Sequence, residues 1–320
     1  MGAALALGER GRGRTAPNPN VGCVIVSDGR VVGRGWTQPG GRPHAEAMAL
    51  GQAGAKSRGA TCYTTLEPCA HQSPRGPACA DLLVAAGVSR VVIALGDPDA
   101  RTDGGGIERL LTAEIAVATN LRAEEARRAM AGFLGRQALG RPQVTLKLAL
   151  SLDGATAMAD GTSKWITGPE ARAHAHLERA RHEAILVGRG TLDADAPALD
   201  VRLAGLTGRS PKRLVLTRGD APDGWEAIGN PGGLAALQGV DHVLIEGGVA
   251  TAAAFLAADL VDRLLLYRAP ILIGGGRTLP DIGLGDLPAA HGRWRLHDAR
   301  RLGSDRVEVY ERIKGSATSG

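Results

Sequence analysis

The sequence of 320 residues is poor in aromatic side chains, which make up only 3% of it. No stretch interleaves basic with aromatic residues, so the stacking and charged surface of a nucleic-acid-binding protein is not expected. No apolar run reaches the roughly 18 residues that a membrane-spanning helix needs. Because hydrophobic residues still make up 44%, the core must consist mainly of Val, Leu, Ile and Ala. The composition therefore favours a globular protein that binds neither nucleic acid nor membrane.

Cysteines are also few, with four in the chain. The first residues, MGAALALGERGRGRT, carry arginines after the short apolar run rather than before it, unlike a secretory signal. We therefore expect a cytoplasmic protein, in which cysteines are thiols or metal ligands rather than disulfides. Cys23 and Cys62 lie in apolar segments and are interpreted as core residues. The formal net charge of +5 suits phosphorylated small molecules, and a mildly basic surface without function explains it equally well.

The order of apolar segments predicts two α/β domains, with a break at Gly140-Arg141-Pro142. In the first domain, residues 21–35 predict a β-hairpin that turns at Asp28-Gly29. Helices at 44–53, 77–87 and 122–139 alternate with strands at 60–66 and 90–95, which indicates three layers. The second domain begins with QVTLKLALSLDG and continues with strands at 183–188, 213–217, 242–248 and 263–276 and helices at 169–181 and 250–260. Residues 316–320 are expected to be a disordered tail.

A histidine and a glutamate lie two positions apart at the start of the helix predicted over 44–53. Residues two apart do not share a helix face, so His44 and Glu46 cannot be the ligand pair of an HExxH zinc site. They can instead approach one target from different angles. Taken alone, the triplet is more simply interpreted as a half-buried histidine beside a solvated glutamate.

Two cysteines further along the chain complete a candidate zinc site. Cys69 and Cys79 are expected to lie at helix starts, where the dipole stabilises thiolates. Together with His44 they supply three ligands and leave a fourth position for water, as in catalytic zinc sites. Zinc lowers the pKa of a bound water toward 7, which provides hydroxide for hydrolysis, and Glu46 is then free to carry protons. This is the layout of the zinc deaminases.

Four motifs occur in one order along the chain: PNPNVGCVIV at 17–26, HAE, TLEPCAH and LKLALSLDG. With them, nearly the whole sequence resembles the bifunctional deaminase–reductase family of riboflavin biosynthesis. The resemblance implies an α/β fold with a cytidine-deaminase-like domain at 1–140 and a dihydrofolate-reductase-like domain at 141–315. It implies zinc-dependent deamination of a diaminopyrimidinone that carries a ribosylamino 5-phosphate, and then NADPH-dependent reduction of the ribose to a ribityl chain. It also implies a homo-oligomer.

The resemblance assigns roles by position. Zinc ligands are His44, Cys69 and Cys79, Glu46 is the proton shuttle, and Asn20 and His71 are near the pyrimidine and its ribose phosphate. Expected NADPH contacts are Ala149, Trp165, Thr191, Asp195 and the turn from Gly248. Expected substrate contacts are Ser163, Arg179, Leu199, Arg202 and Glu246. The two arginines are expected to clamp the 5-phosphate, because a guanidinium binds phosphate oxygens in a fork. Lys147 and Asp153 are candidates to hydrogen-bond the ribose.

Several points remain open at this level. Trp165 either stacks on a flat ring or is a core residue, and the glycines of IEGGVAT and LIGGGRT either meet phosphate or only form turns. The family pattern is altered at 96–106, in a longer loop between the two cysteines, and in a shortened segment 203–245. One alternative is a cytidine or deoxycytidylate deaminase with an inactive or unrelated second domain, and another is a tRNA-editing deaminase.

Overall fold

The computed structural model describes residues 1–313 and divides the chain into two compact units, Met1–Gly140 and a second unit that begins at Arg141. Each unit has its own apolar core. The tail expected at 316–320 and the predicted end of the second domain at 315 lie outside the described residues. Within 1–313, no helix has the length and apolar character needed to cross a membrane.

The first unit is a five-stranded sheet with helices on both faces. Its strands are β1 (Gly22–Ser27), β2 (Arg30–Trp36), β3 (Thr61–Thr64), β4 (Arg90–Ile93) and β5 (Ala116–Ala118), in the order β2-β1-β3-β4-β5. Its helices are α1 (Gly2–Gly8), α2 (Ala45–Ala53), α3 (Cys79–Ala86), α4 (Gly105–Thr112), α5 (Ala123–Ala129) and α6 (Ala131–Leu139). Strand β1 is antiparallel to β2 and β3, and the other pairs are parallel. The predicted hairpin is confirmed, with Asp28 and Gly29 at positive φ.

Two glycines of β2 allow α2 to lie directly against the sheet. A Cβ on Gly33 would lie 2.2 Å from the carbonyl oxygen of Ala49, and one on Gly35 would lie 2.1 Å from that of Ala45. The helix backbone is therefore closer to the strand than any side chain at these positions would permit. This packing fixes the start of α2, whose N-cap residue is His44, beside the end of β3.

Some elements of the first unit differ from the sequence prediction. Helices α1 and α4 and strand β5 were not predicted, since α1 is short and α4 begins with two glycines, which are poor helix formers. The helix predicted over 122–139 is two helices. Between them Met130 leaves helical geometry, with φ −107° and ψ 19°, while its side chain is fully buried in the core. Burial of this side chain thus overrides the local helix propensity.

The second unit is built on an eight-stranded mixed sheet, in the order β12-β13-β11-β6-β10-β7-β8-β9. Its strands are β6 (Gln143–Leu150), β7 (Ala184–Gly188), β8 (Lys212–Leu216), β9 (Glu226–Ile228), β10 (His242–Ile245), β11 (Arg263–Arg268), β12 (Trp294–Leu302) and β13 (Asp305–Arg312). Its helices are α7 (Pro169–Arg179), α8 (Arg189–Asp195) and α9 (Val249–Ala257). From β11 to β9 neighbouring strands are parallel, and the β12–β13 hairpin adds antiparallel pairs.

The parallel strands other than β9 were predicted from their apolar runs, which are continuous where both faces of the strand are buried, as in β7. The last predicted strand, 263–276, ends at Arg268, because Pro270 cannot donate to a strand ladder. Strands β9, β12 and β13 and helix α8 were not predicted. Strand β12 is a mostly exposed edge rich in charged residues, so it lacks the apolar signal that marks a buried strand.

Candidate functional site

Three side chains of the first unit converge on one point. Nδ1 of His44 lies 3.3 Å from Sγ of Cys79 and 3.6 Å from Sγ of Cys69. The three potential ligand atoms all lie within 4.8 Å of one another. A tetrahedral zinc ion with ordinary Zn–S and Zn–N bonds separates such donors by roughly 3.5–3.8 Å. The chemistry and the spacing of these donors therefore fit a zinc ion.

The two thiols reach this point from different elements. Cys79 is the first residue of α3, as expected, whereas the expectation of a helix start for Cys69 is wrong, because Cys69 lies in the loop between β3 and α3. The start of α3 still stabilises the Cys69 thiolate, because the Cys79 backbone N–H donates to Cys69 Sγ at 3.3 Å. A hydrogen bond from the Cys79 side chain lowers the pKa of Cys69 to about 4. One thiolate is thus available to a metal at neutral pH.

The other ring nitrogen of His44 contacts Asn18, a residue that the sequence analysis missed. Nδ2 of Asn18 lies 3.2 Å from Nε2 of His44. When Nδ1 binds a metal, Nε2 carries the ring proton, and a turned Asn18 amide presents its oxygen as the acceptor. Gly41, at φ +87°, leaves room for this amide, since a Cβ there would lie 2.3 Å from Asn18 Oδ1. Asn18 thus orients the ring of the histidine.

Glu46 lies beside the cluster in the first turn of α2. Only 3% of its surface is exposed, so it is not the solvated glutamate of the simpler interpretation. The Thr64 hydroxyl lies 2.9 Å from Glu46 Oε1. Burial raises the pKa of Glu46, which brings it closer to neutral pH. A carboxyl group in such a position can both accept and return a proton.

The two residues expected near the pyrimidine occupy different settings. Asn20 is 3% exposed, and its Nδ2 donates to the carbonyl oxygens of Gly8 and Ala129. Only its Oδ1 is therefore left for a substrate. His71 is half-buried, with Nδ1 3.4 Å from the hydroxyl of Thr102. The substrate contacts of both residues stay predictions.

Glu67 organises the segment 96–106, where the sequence is altered from the family pattern. Its buried carboxylate accepts hydrogen bonds from four backbone N–H groups, at 3.0 to 3.3 Å. The four donors belong to Asp97, Gly104, Gly106 and Ile107. The altered segment is thus tied to the strand end that leads into Cys69. The sequence did not reveal this role, because the partners lie 30 to 40 positions away.

A pocket of about 420 Å³ opens beside two of the candidate ligands. Its size lies within the range of small-molecule sites. Two guanidinium groups, from Arg42 and Arg75, form part of its wall, which makes the pocket suitable for an anion. The lining residues are Arg42, Pro43, His44, Ala47, Arg75, Gly76, Pro77, Cys79 and Leu82.

The second unit has a cluster of charged residues at the carboxyl end of its parallel strands. Glu246 directly follows β10, and its carboxylate accepts two hydrogen bonds from Arg179, at 2.7 and 2.9 Å. Nζ of Lys147, on the neighbouring strand β6, lies 3.7 Å from Glu246 Oε2. Burial alone would raise the pKa of Glu246, but the charges of Lys147 and Arg179 lower it to about 2. The cluster therefore holds an ionised glutamate away from water.

The two arginines expected to clamp the phosphate have different contacts in the structure. Arg179 directs two N–H groups to Glu246 and a third to the carbonyl oxygen of Asp200 at 3.0 Å, so its fork is already engaged. Arg202 is exposed, and its Nε lies 3.3 Å from Oδ1 of Asp200. Phosphate binding stays a prediction for both arginines, and Arg179 also holds Glu246.

The residues expected to bind NADPH lie at exposed or half-buried positions. Trp165 is 67% exposed with the Arg172 guanidinium 4.8 Å from its ring centre, so the core interpretation is wrong and the ring remains open to stacking. The Thr191 hydroxyl accepts the Gly248 N–H at 3.2 Å, and this joins α8 to the start of α9. Asp195 pairs with Lys164 at 2.9 Å.

Four other predicted site residues are described by their packing, their hydrogen bonds or their burial. The side chain of Leu199 is 5% exposed and packs in an apolar cluster, so only its backbone could meet a ligand. The carboxylate of Asp153 accepts the N–H groups of Ile273 and Gly274, at 3.2 and 2.8 Å. Ala149 and Ser163 are half-buried. The ligand contacts of all four stay predictions.

Two family models match the chain. Residues 1–95 match the cytidine and deoxycytidylate deaminase zinc-binding region. Residues 142–223 and 234–307 match the RibD C-terminal domain. The second match argues against an unrelated second domain.

Curated relatives and solved structures cover nearly the whole chain. Riboflavin biosynthesis protein RibD of Escherichia coli is 40% identical, over 95% of this chain and 96% of its own. The protein of that name from Aquifex aeolicus is 36% identical, over 98% and 97%. The structure of Acinetobacter baumannii RibD superposes with a TM-score of 0.85 at 36% identity, covering 98% of each chain. A Thermotoga maritima diaminohydroxyphosphoribosylaminopyrimidine deaminase/5-amino-6-(5-phosphoribosylamino)uracil reductase gives 0.89 at 31% identity, over 98% and 97%.

Proposed function

Because this chain belongs to the RibD family of bifunctional riboflavin biosynthesis enzymes, we propose that its first unit carries out the deamination and its second unit the reduction. The enzyme uses zinc and NADPH, and it acts on the phosphorylated diaminopyrimidinone that the resemblance implies. The observation that carries the assignment is the convergence of His44, Cys69 and Cys79 beside a buried Glu46.

In the first unit, His44, Cys69 and Cys79 would hold a zinc ion, which would supply a water activated for hydrolysis. Glu46 would accept one proton from this water and pass it to the pyrimidine ring nitrogen. It would then accept a second proton, from the newly added hydroxyl group, and pass that one to the leaving amine. The raised pKa of Glu46 supports both steps, since a group that titrates nearer neutrality both gains and loses a proton readily. Asn18 keeps the His44 ring in the orientation that turns Nδ1 toward the thiols.

The pocket beside His44 and Cys79 accommodates the phosphorylated end of the deaminase substrate. Arg42 and Arg75 are the cationic side chains in its wall, and a guanidinium donates several hydrogen bonds to a phosphate. Arg75 is exposed and Arg42 half-buried, and each donates one N–H group to a backbone carbonyl oxygen, of Gly40 and Pro77 respectively. The other N–H groups of both guanidinium groups are the donors proposed for the phosphate. This position distinguishes a phosphorylated substrate from free cytidine, which has no group for the arginines to bind.

The double variant Arg42→Ala/Arg75→Ala is expected to raise KM for deamination roughly 10- to 100-fold, since two charge-assisted hydrogen bonds at a partly solvated site are lost. The kcat value should change little, because neither arginine touches the reacting carbon. Steady-state kinetics with the phosphorylated substrate measure both values. The matched control is Arg34→Ala, an exposed arginine of β2 outside the pocket, which should leave KM unchanged. An unaltered KM in the double variant would place the phosphate elsewhere.

In the second unit, Glu246 and Lys147 would face the ribose of the deaminated product, and NADPH, when bound, would supply the hydride. Lys147 is the nearest cation to Glu246 besides Arg179, so it can donate a hydrogen bond to a ribose oxygen while Glu246 fixes its position. The cofactor is held by Trp165, Thr191, Asp195, Ala149 and Gly248. Ser163, Leu199 and Arg202 contact the substrate.

The location and assembly of the protein are also proposals. A cytoplasmic location agrees with four buried cysteines that are thiols or candidate metal ligands rather than disulfides. The pocket has the size of a small-molecule site, which agrees with small-molecule substrates rather than a nucleic acid. A homo-oligomer agrees with large apolar side chains left exposed on the second unit, such as Leu272 at 76% and Leu287 at 75%. Sedimentation equilibrium of the purified protein measures the assembly.

One experiment tests the proposed function directly. The zinc-loaded protein is incubated with the phosphorylated diaminopyrimidinone, with and without NADPH, and the products are identified by mass. Without NADPH we expect the deaminated product alone, and with NADPH the deaminated and reduced product together with loss of nicotinamide absorbance. Deamination of cytidine but not of the phosphorylated substrate would instead support the alternative deaminase.

A further inference from the structure

Thr64 places a hydroxyl group next to the proposed proton shuttle. It is the last residue of β3 and is completely buried. Its Oγ1 lies 2.9 Å from Glu46 Oε1 and 3.1 Å from the carbonyl oxygen of Leu66. A buried hydroxyl without a partner is costly, so these two contacts account for a polar side chain on an otherwise apolar strand face.

The hydrogen-bonding capacity of a hydroxyl matches these two neighbours. Thr64 has one proton and two lone pairs. Thr64 can donate this proton to Glu46 Oε1, which lies 2.9 Å away, and this contact engages Oε1 rather than Oε2 of the carboxyl group.

The backbone around Thr64 gives it a fixed position from which to hold a carboxylate. Thr64 pairs with Cys23 across β1 and with Ile93 across β4, so a strand flanks it on each side. As a β-branched residue, it also has few side-chain rotamers. Glu46, by contrast, has a longer side chain that could turn away from the metal cluster. The rigid Thr64 thus restricts the side-chain conformations of the more flexible Glu46.

We propose that Thr64 is a positioning residue for deamination, which anchors Oε1 of Glu46 and so directs Oε2 toward the reacting water and pyrimidine. The inference rests on the proposed role of Glu46 as proton shuttle. Thr64 itself does not touch the substrate, so it affects the rate of proton transfer and neither zinc binding nor substrate affinity.

Two matched pairs of variants isolate the hydroxyl group. Wild type and Thr64→Val differ by the hydroxyl in a β-branched side chain, and Thr64→Ser and Thr64→Ala differ by it in a small one. In each pair, loss of the hydroxyl is expected to lower kcat for deamination about tenfold, the effect of one hydrogen bond to a charged group. KM and zinc content should stay unchanged. Thr65→Val is the control, since the Thr65 hydroxyl accepts the Gly22 N–H and serves the sheet.

The outcomes separate this proposal from the proposed function. An active wild-type enzyme with the same kcat in both members of each pair would overturn the role of Thr64 and leave Glu46 as shuttle. A loss of zinc, or a kcat for Thr64→Ser no better than for Thr64→Ala, would show a purely structural role and also overturn it. An inactive wild-type enzyme would overturn the roles of Glu46 and Thr64 together. If Thr64→Val does not fold, the Ser and Ala pair decides.

Discussion

Replacement of Glu46 by glutamine is expected to lower kcat for deamination by at least about 10²–10⁴-fold, the usual contribution of a general acid–base residue. The amide occupies the same buried space but cannot accept or return a proton. Zinc content should remain at the wild-type level, because the cluster of potential ligands consists of His44, Cys69 and Cys79. NADPH-dependent reduction of the chemically deaminated substrate should also remain, because the residues proposed for this step are in the second unit, which matches the RibD C-terminal domain.

The matched control for Glu46→Gln is Cys69→Ser, in which a ligand rather than the shuttle is changed. A serine hydroxyl is a poor zinc ligand beside a thiolate, so this variant should lose most of its zinc and its deamination together. Metal analysis by mass spectrometry and a deamination assay distinguish the two variants. If Glu46→Gln deaminated within a few-fold of wild type, the shuttle would have to be sought elsewhere. If Cys69→Ser retained its zinc, the ligand assignment would fail.

The second large effect is expected for Arg179→Ala, which should lower kcat/KM for NADPH-dependent reduction by at least about 100-fold. Among the described residues, Glu246 would keep Lys147 as its cationic partner and would lose the two Arg179 N–H donors that hold its carboxylate in place. Removal of one partner from a buried ion pair also lowers the stability of the folded protein by about 3–5 kcal/mol. The pKa of Glu246 should rise, because burial favours its neutral form once the guanidinium is gone. Absorbance loss at the nicotinamide band, with deaminated substrate supplied, measures the rate.

Arg202→Ala is the matched control, since it removes the same charge from an exposed side chain. It should raise KM by about tenfold or less and leave kcat and stability nearly unchanged. Zinc content and deamination should persist in both variants. Equal effects of Arg179→Ala and Arg202→Ala, confined to KM, would instead support the prediction that the two arginines clamp the phosphate as a pair.

The fold was predictable where local patterns are strong. The β1–β2 hairpin follows from Asp28-Gly29 between two valine-rich runs, and the buried parallel strands follow from their unbroken apolar character. Strand β12 could not be predicted in this way, because an exposed edge strand has no apolar pattern. The helix break at Met130 was hidden as well, because burial of that side chain depends on elements remote in the sequence.

The sequence by itself determined the chemistry of the metal site, because only a few kinds of site share the residue types and the order of His44, Glu46, Cys69 and Cys79. It also determined the family. Tertiary structure alone decided how the reactive groups are held. Thr64 beside Glu46, Asn18 beside His44, and Arg179 beside Glu246 are pairs 18, 26 and 67 positions apart. Such contacts depend on how strands and helices pack, and no local pattern in the chain encodes them.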